Sequence, residues 1–265
     1  MYSRKQLARD FSNLGIEPGD LLFIHSSFKS LGPVEGGAGT VINALEDVVG
    51  KEGLILMPSF NLIWREPTEP PPPEVAASSK LAERYQLRQG RAEVWNHTTT
   101  PSSVGWLSEF FRQMPGTYRS DHYSHSVAAR GKNAACFVAD HRETEGLVSI
   151  WDYPPWGATY GSHSPMYKAF ECGGKLLMMG TTYSTTTYIH LVEVIRWNIM
   201  LQTNPDTPYP SIDRDILGGW WDTNGKPLRA RVGDSDCRLF PIRDFIDKLV
   251  DEVDHSPRAY ATRKK

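Results

Sequence analysis

At 265 residues, the chain has the length of one large domain or two small ones. With 40% hydrophobic and 23% charged residues it has the composition of a globular protein with a sizeable core. Lysine and arginine number 29 against 31 aspartate and glutamate, a net charge of −2, which argues against a broadly cationic nucleic-acid binder.

No run of about 18 apolar residues is present to predict a membrane span. The charged N-terminal stretch Met1–Asp10 is followed by no apolar segment of the kind a secretory signal needs. Cys136, Cys172 and Cys237 are too far apart for a disulfide framework or a zinc knuckle, so a reducing, cytoplasmic setting is expected.

Leu7, Phe11 and Leu14 recur at helical spacing over residues 4–14, and Pro18-Gly19-Asp20 then turns the chain. Residues 21–25 form a short apolar run, read as a buried strand. The Gly- and Ser-rich stretch 26–39 reads as a loop, after which Thr40 is expected to cap a helix through Val41, Ala44, Leu45 and Val48. Residues 53–58 are a second apolar strand, stopped by Pro58. Strand, loop, helix and strand in this order predict a βαβ unit with a parallel pair.

Residues 61–95 break the rhythm with Pro67 and the run Pro70-Pro71-Pro72-Pro73, before a short helix expected over 76–89. Four consecutive prolines stay extended and cannot enter a sheet interior. This insertion reads either as a surface excursion or as a lid, since long loops in compact domains are often functional. Thr100-Pro101-Ser102-Ser103 then opens a helix with Trp106, Leu107, Phe110 and Phe111 on one side. Residues 126–129 read as a short strand, 134–140 as a further element, 173–180 as a strand between glycines and 186–202 as a helix. The segment from Gly218 to Cys237 is turn-rich and reads as β. Ile242, Phe245, Ile246, Leu249, Val250 and Val253 form the apolar stripe of a last amphipathic helix.

The strongest local constellation is Thr185-Thr186-Thr187-Tyr188-Ile189-His190-Leu191-Val192-Glu193. On a helix His190 and Glu193 share a face. Both fall in its first turns, after a glycine-bounded strand, where α/β sheets place ligands. A carboxylate beside an imidazole can orient its tautomer and make a general base; the same pair could instead be a structural cap. Metal ligation would need two further ligands, and His25, His97, His122, His125 and His163 are scattered over loops without a recognisable motif, so no metal is expected. His25-Ser26-Ser27 at a strand end, followed by Gly36-Gly37 at a helix start, could cradle a phosphate or pantetheine, or be a plain tight turn. It is neither a Walker loop nor a dinucleotide fingerprint, and no Gly-x-Ser-x-Gly elbow favours a serine nucleophile.

In order along the chain, His25-Ser26-Ser27-Phe28-Lys29-Ser30-Leu31-Gly32-Pro33-Val34 with Gly36-Gly37, the strand 53–58 with Ser59-Phe60, Thr100-Pro101-Ser102-Ser103-Val104-Gly105, Arg119-Ser120, the stretch 125–131, Gly161 to Pro165, the stretch 173–180 and Thr187–Glu193 resemble the aminoglycoside 3-N-acetyltransferase family. The resemblance spans roughly residues 15–200. It implies a three-layer α/β/α fold with a mostly parallel sheet, here with a turn-rich β segment and a C-terminal helix, in one domain over 1–265. It implies acetyl-CoA as co-substrate, lying against His25, Ser26, Ser27, Phe28, Lys29, Gly36, Gly37, Ser102, Ser103, Ser126 and Val127. It also puts the family's catalytic histidine at His190, with Glu193 as its acidic neighbour and His25 as a second candidate.

The implied reaction is direct acetyl transfer to the 3-amino group of a 2-deoxystreptamine aminoglycoside; the alternatives are another amine acceptor, in biosynthesis, within the same family, and a metal-dependent amidohydrolase with His190 and Glu193 as ligands. This chain departs from the resemblance at Trp95-Asn96-His97, at His163 between Ser162 and Ser164, and in the Pro-rich insertion. A polycationic acceptor needs carboxylates, for which Glu66, Glu69 and Glu74 of the insertion are candidates. Asn96 and His163 join Glu66 and Glu69 as expected acceptor-binding residues. The partner is thus a small amine, with neither nucleic acid nor membrane.

Overall fold

The computed structural model describes residues 1–262 apart from 62, 64, 103, 144, 154 and 155. Ser103, expected at the cofactor, lies outside the described residues. The chain runs α1 (Arg4–Leu14), β1 (Leu21–Ser26), α2 (Ala38–Val49), β2 (Leu54–Pro58), α3 (Pro73–Ala76), α4 (Ser79–Val94), α5 (Trp106–Gln113), β3 (Tyr118–Arg119) and β4 (Val127–Gly131). It continues through α6 (Ala134–Val138), β5 (Gly146–Leu147), β6 (Tyr160–Gly161), α7 (Pro165–Glu171), β7 (Lys175–Met179), α8 (Thr187–Thr203), α9 (Arg214–Asn224), β8 (Leu228–Val232), β9 (Ser235–Pro241) and α10 (Ile242–His255).

Seven strands form one sheet in the order β3-β4-β2-β1-β7-β9-β8. At its centre β1 pairs in parallel with β2 and β7, Leu22 opposite Ile55 and His25 opposite Met178. β4 and β9 run antiparallel on either side, and β3 and β8 close the edges, so five of the seven strands point one way. Alternation along the strands sorts the core into two layers. Leu22, Ile24, Ile55, Met57, Leu177 and Met179 pack with α1, α2 and α5, whereas Phe23, Leu56, Leu176 and Met178 pack with α7, α8 and α10. Each such side chain contributes roughly 1.5–3 kcal/mol by leaving water. By the same alternation His25 falls on the Phe23 side, toward α8.

α1 is set by a capping box, in which Ser3 Oγ accepts from Gln6 N–H at 3.3 Å and Ser3 N–H donates to Gln6 Oε1 at 2.9 Å. α2 starts earlier than expected: its cap is Gly37, at φ 68°, and Thr40 is already its third residue. α4 is longer than the expected 76–89, capped by Ser78 at Leu81 N–H. α5 begins at Trp106, with Thr100–Ser102 left as loop. Its buried face carries Leu107 and Phe111, while Trp106 is 63% exposed.

The segment read as turn-rich β from Gly218 onward is corrected in its first part, which belongs to α9. Asp213 Oδ1 caps that helix by accepting from Ile216 N–H at 3.1 Å. Gly218 lies inside it because a Cβ there would come within 2.1 Å of the Tyr183 ring; the glycine is a packing residue rather than a turn. The β8-β9 hairpin follows.

Arg119 ties the end of the insertion to the sheet. Its guanidinium donates to the carbonyls of Ser59 (2.7 Å), Thr99 (2.6 Å) and His97 (3.1 Å) and to Ser126 Oγ (2.9 Å). It also lies 5.6 Å from the Trp95 ring centroid. Burial, and then the neighbouring Arg112, lowers its pKa to about 10, which leaves it charged at neutral pH.

Candidate active site

The C-terminal ends of the three parallel strands open into a cavity, the usual ligand position in such sheets. One lobe is lined by His25, Ser26, Pro58, Phe60, Val104, Gly105, Ser108, Thr181 and Thr185. A second is lined by Phe60, His125, Trp151, Thr185, Thr187, His190 and Arg214. Phe60 and Thr185 belong to both, so the lobes meet there. In the first lobe Ser26 Oγ and Thr181 Oγ1 are buried without a hydrogen-bond partner among the described residues, two polar atoms in want of a ligand.

His190 sits in the first turn of α8, and its Nδ1 lies 2.7 Å from Glu193 Oε2. The Glu193 carboxylate is 4% exposed and held from two further sides, by Tyr209 Oη–H at 3.2 Å on Oε2 and by Ile212 N–H at 3.0 Å on Oε1. On the other edge of the imidazole, Nε2 is 3.1 Å from an Arg214 guanidinium nitrogen. A guanidinium can only donate, so this network assigns the lone pair to Nε2 and the proton to Nδ1, directed at Glu193. Trp151 packs edge-on against the ring at 4.9 Å between centroids. The result is an oriented imidazole on the wall of the second lobe, with Glu193 on one edge and Arg214 on the other. Among the described residues no group of three or more His, Cys, Asp or Glu could hold a metal ion.

Residues 23–253 match the family described as aminoglycoside 3-N-acetyltransferase. The chain belongs to that family. It is 31% identical to aminoglycoside N(3)-acetyltransferase VII of Streptomyces paromomycinus, over 92% of this chain and 89% of that protein. It is 26% identical to the SPbeta prophage-derived aminoglycoside N(3')-acetyltransferase-like protein YokD of Bacillus subtilis (strain 168), over 92% and 90% respectively. In structure it is similar to AAC-IIIb, solved as a binary complex with CoASH, with a TM-score of 0.71, 23% identity and coverage of 100% and 99%.

Within this member of the family, His25 has a different position from His190. Its Nε2 accepts from Thr187 N–H at 3.3 Å, at the start of α8, and burial lowers its pKa to about 4. His25 thus lines the first lobe and holds the helix, and its lowered pKa makes it a weaker base than an ordinary imidazole. Ser27 N–H donates to Met179 O at 2.8 Å, Phe28 and Lys29 enter a short 3-10 helix, and Gly36 and Gly37 take positive φ before α2. None of these five lines either lobe. Ser126 and Val127 are fully buried and support the floor: Ser126 Oγ donates to Ser59 O at 2.8 Å, and Val127 pairs with Pro58. Ser102 N–H fixes Phe60 through its carbonyl, at 3.1 Å.

The expected acceptor residues lie elsewhere. Glu66 is exposed, and Glu69 borders a separate surface hollow with Thr68, Gln89, Ala92, Glu93, Tyr153 and Trp156. Asn96 closes its own turn, Oδ1 accepting from Thr98 N–H at 2.9 Å, and His163 is exposed ahead of α7. None of them lines the His190 lobe. Conversely, Phe60, Trp151, Thr185, Arg214 and His125 line it without having been picked out as site residues, His125 having been weighed only as a scattered metal ligand. Burial, and then the neighbouring His190, lowers the His125 pKa to about 3, and its Nδ1 is 2.8 Å from Ser124 Oγ. The only sequence signal for it was its place in a resembling segment.

Proposed function

We propose that the protein transfers the acetyl group of acetyl-CoA to the 3-amino group of an aminoglycoside, directly and in one ternary complex, with His190 as general base. Bound acetyl-CoA supplies the thioester whose carbonyl carbon the amine attacks and whose thiol departs. An amine at neutral pH is mostly ammonium and must lose a proton to become a nucleophile; His190 Nε2 is the acceptor for it, and Glu193 holds the imidazole in the tautomer that the transfer needs. Of the two protons that the nitrogen gives up on going from ammonium to amide, one leaves with the thiolate and the other goes to solvent, so CoASH and the amide are the products. Ser26 Oγ and Thr181 Oγ1 are hydroxyl donors for the carbonyl or the pantetheine amides in the first lobe. The relative solved with CoASH supports that co-substrate. The observation that carries the reading is the oriented His190, facing a lobe that joins a second one at Phe60 and Thr185.

A second reading, acetyl transfer to another amine, is favoured by the lining of the acceptor lobe. Among the described residues it contains Arg214 and no carboxylate. The deciding experiment is free-thiol release from acetyl-CoA with 2-deoxystreptamine aminoglycosides beside amino sugars and simple amines. Release with the aminoglycosides supports the first reading. Release with other amines alone moves the protein to the second, and failure to bind CoA in calorimetry removes both.

A further inference from the structure

The geometry points to Arg214 as the residue that selects the acceptor, favouring an amine that carries an anionic oxygen, carboxylate or phosphate, close to the reacting nitrogen. This rests on the second reading, acetyl transfer to an amine other than an aminoglycoside, and names its acceptor class. Arg214 is half-buried at the first position of α9, with a guanidinium nitrogen 3.1 Å from His190 Nε2, where the acceptor amine has to arrive. Arg4, Arg112, Arg130, Arg196 and Arg229 each meet a carboxylate. Among the described residues no carboxylate forms an ion pair with Arg214: Glu193 lies on the far side of the imidazole, and the flanking Asp213 and Asp215 accept from the backbone N–H groups of Ile216 and Ser184. Phe60, His125, Trp151, Thr185 and Thr187 complete the wall.

A polycation brought here would set ammonium against guanidinium with no carboxylate in the lining to offset the repulsion. An anionic oxygen on the acceptor reverses the sign. It draws the guanidinium fork off Nε2 into a charge-assisted pair, freeing the base at the moment the amine docks. The amine proton then passes to Nε2 as in the basic reaction, and Arg214 itself exchanges no proton.

The test compares kcat/KM for glucosamine 6-phosphate, glucosaminic acid, glucosamine and sisomicin, in the wild type and in Arg214→Ala and Arg214→Glu. The expected result is that one of the anionic sugars exceeds glucosamine by about tenfold or more, that Arg214→Ala abolishes the preference, and that Arg214→Glu turns it toward sisomicin. The favoured sugar tells phosphate from carboxylate. No preference in the wild type, or a preference that survives Arg214→Ala, overturns the assignment. If no acceptor turns over, calorimetry on the CoA-loaded protein decides. Binding of either anionic sugar that weakens about tenfold in Arg214→Ala keeps the anion site and discards acetyl transfer, whereas equal or absent binding discards the site.

Discussion

The imidazole of His25, near the end of β1, accepts a hydrogen bond from the backbone N–H of Thr187 at 3.3 Å. Residues 162 positions apart are thereby joined, and the helix that carries His190 is fastened to the central strand of the sheet. The first N–H groups of a helix have no partner within it, so a buried neutral imidazole is a suitable acceptor there, and a protonated one is not.

Acid should therefore unfold the protein through its histidines. Burial lowers the pKa of His25 to about 4, and of His125 and His141 to about 3, against about 6.5 in the unfolded chain. Their contribution is fully present above pH 6.5 and is lost as pH falls from there toward 4, because in that window the unfolded state binds more protons. Each histidine removes about 1.4 kcal/mol per pH unit. Urea midpoints at pH 7.5, 6 and 5 should fall in that order; a midpoint that is flat or rises on acidification contradicts this.

Replacing His190 by alanine should lower turnover by on the order of 10²–10⁴ and leave the affinity for acetyl-CoA within a few fold. Thiol release and calorimetry on the same preparation separate the two effects. Full activity in His190→Ala would show that another group takes the proton.

In Glu193→Gln the amide has to meet three donors, His190 Nδ1–H, Tyr209 Oη–H and Ile212 N–H, with a single acceptor oxygen. Turnover should fall roughly 10–100-fold, as for other orienting partners of a histidine, and stability should fall by about 1–3 kcal/mol from the unmatched donors. Steady-state rates and urea unfolding would show it. Wild-type values in both would deny Glu193 the orienting role.

Gly218 offers a test of the fold near the site. Alanine there would press on the Tyr183 ring, whose hydroxyl is tied to Asp222 at 2.6 Å and cannot easily yield. Gly218→Ala should destabilise by about 1–3 kcal/mol through overpacking, even though alanine is the better helix former. A rise in Tm would mean that the glycine is not in close contact.

Local patterns were legible without the structure. The apolar runs of β1, β2 and β7, the stripe of α10 and the His190–Glu193 pair each depend on residues within a few positions of one another, and periodicity reports such neighbours directly. Glycine at 218 misled for the complementary reason: in a sequence it signals a turn, while its cause here is an aromatic ring 35 residues earlier in the chain. The carboxylates of the insertion pointed to the acceptor by charge alone, and the chain carries them to another surface.

What the sequence determined, then, is most of the elements, the family resemblance and the pairing of His190 with its acidic neighbour Glu193. The tertiary structure alone decided that Arg214 stands against Nε2, that His25 caps α8, that Arg119 is tied to backbone carbonyls and that His125 and Trp151 wall the second lobe. Those contacts join segments from 20 to more than 160 residues apart. No repeat or spacing encodes them, because they arise from the crossing order of strands and the side on which each helix packs.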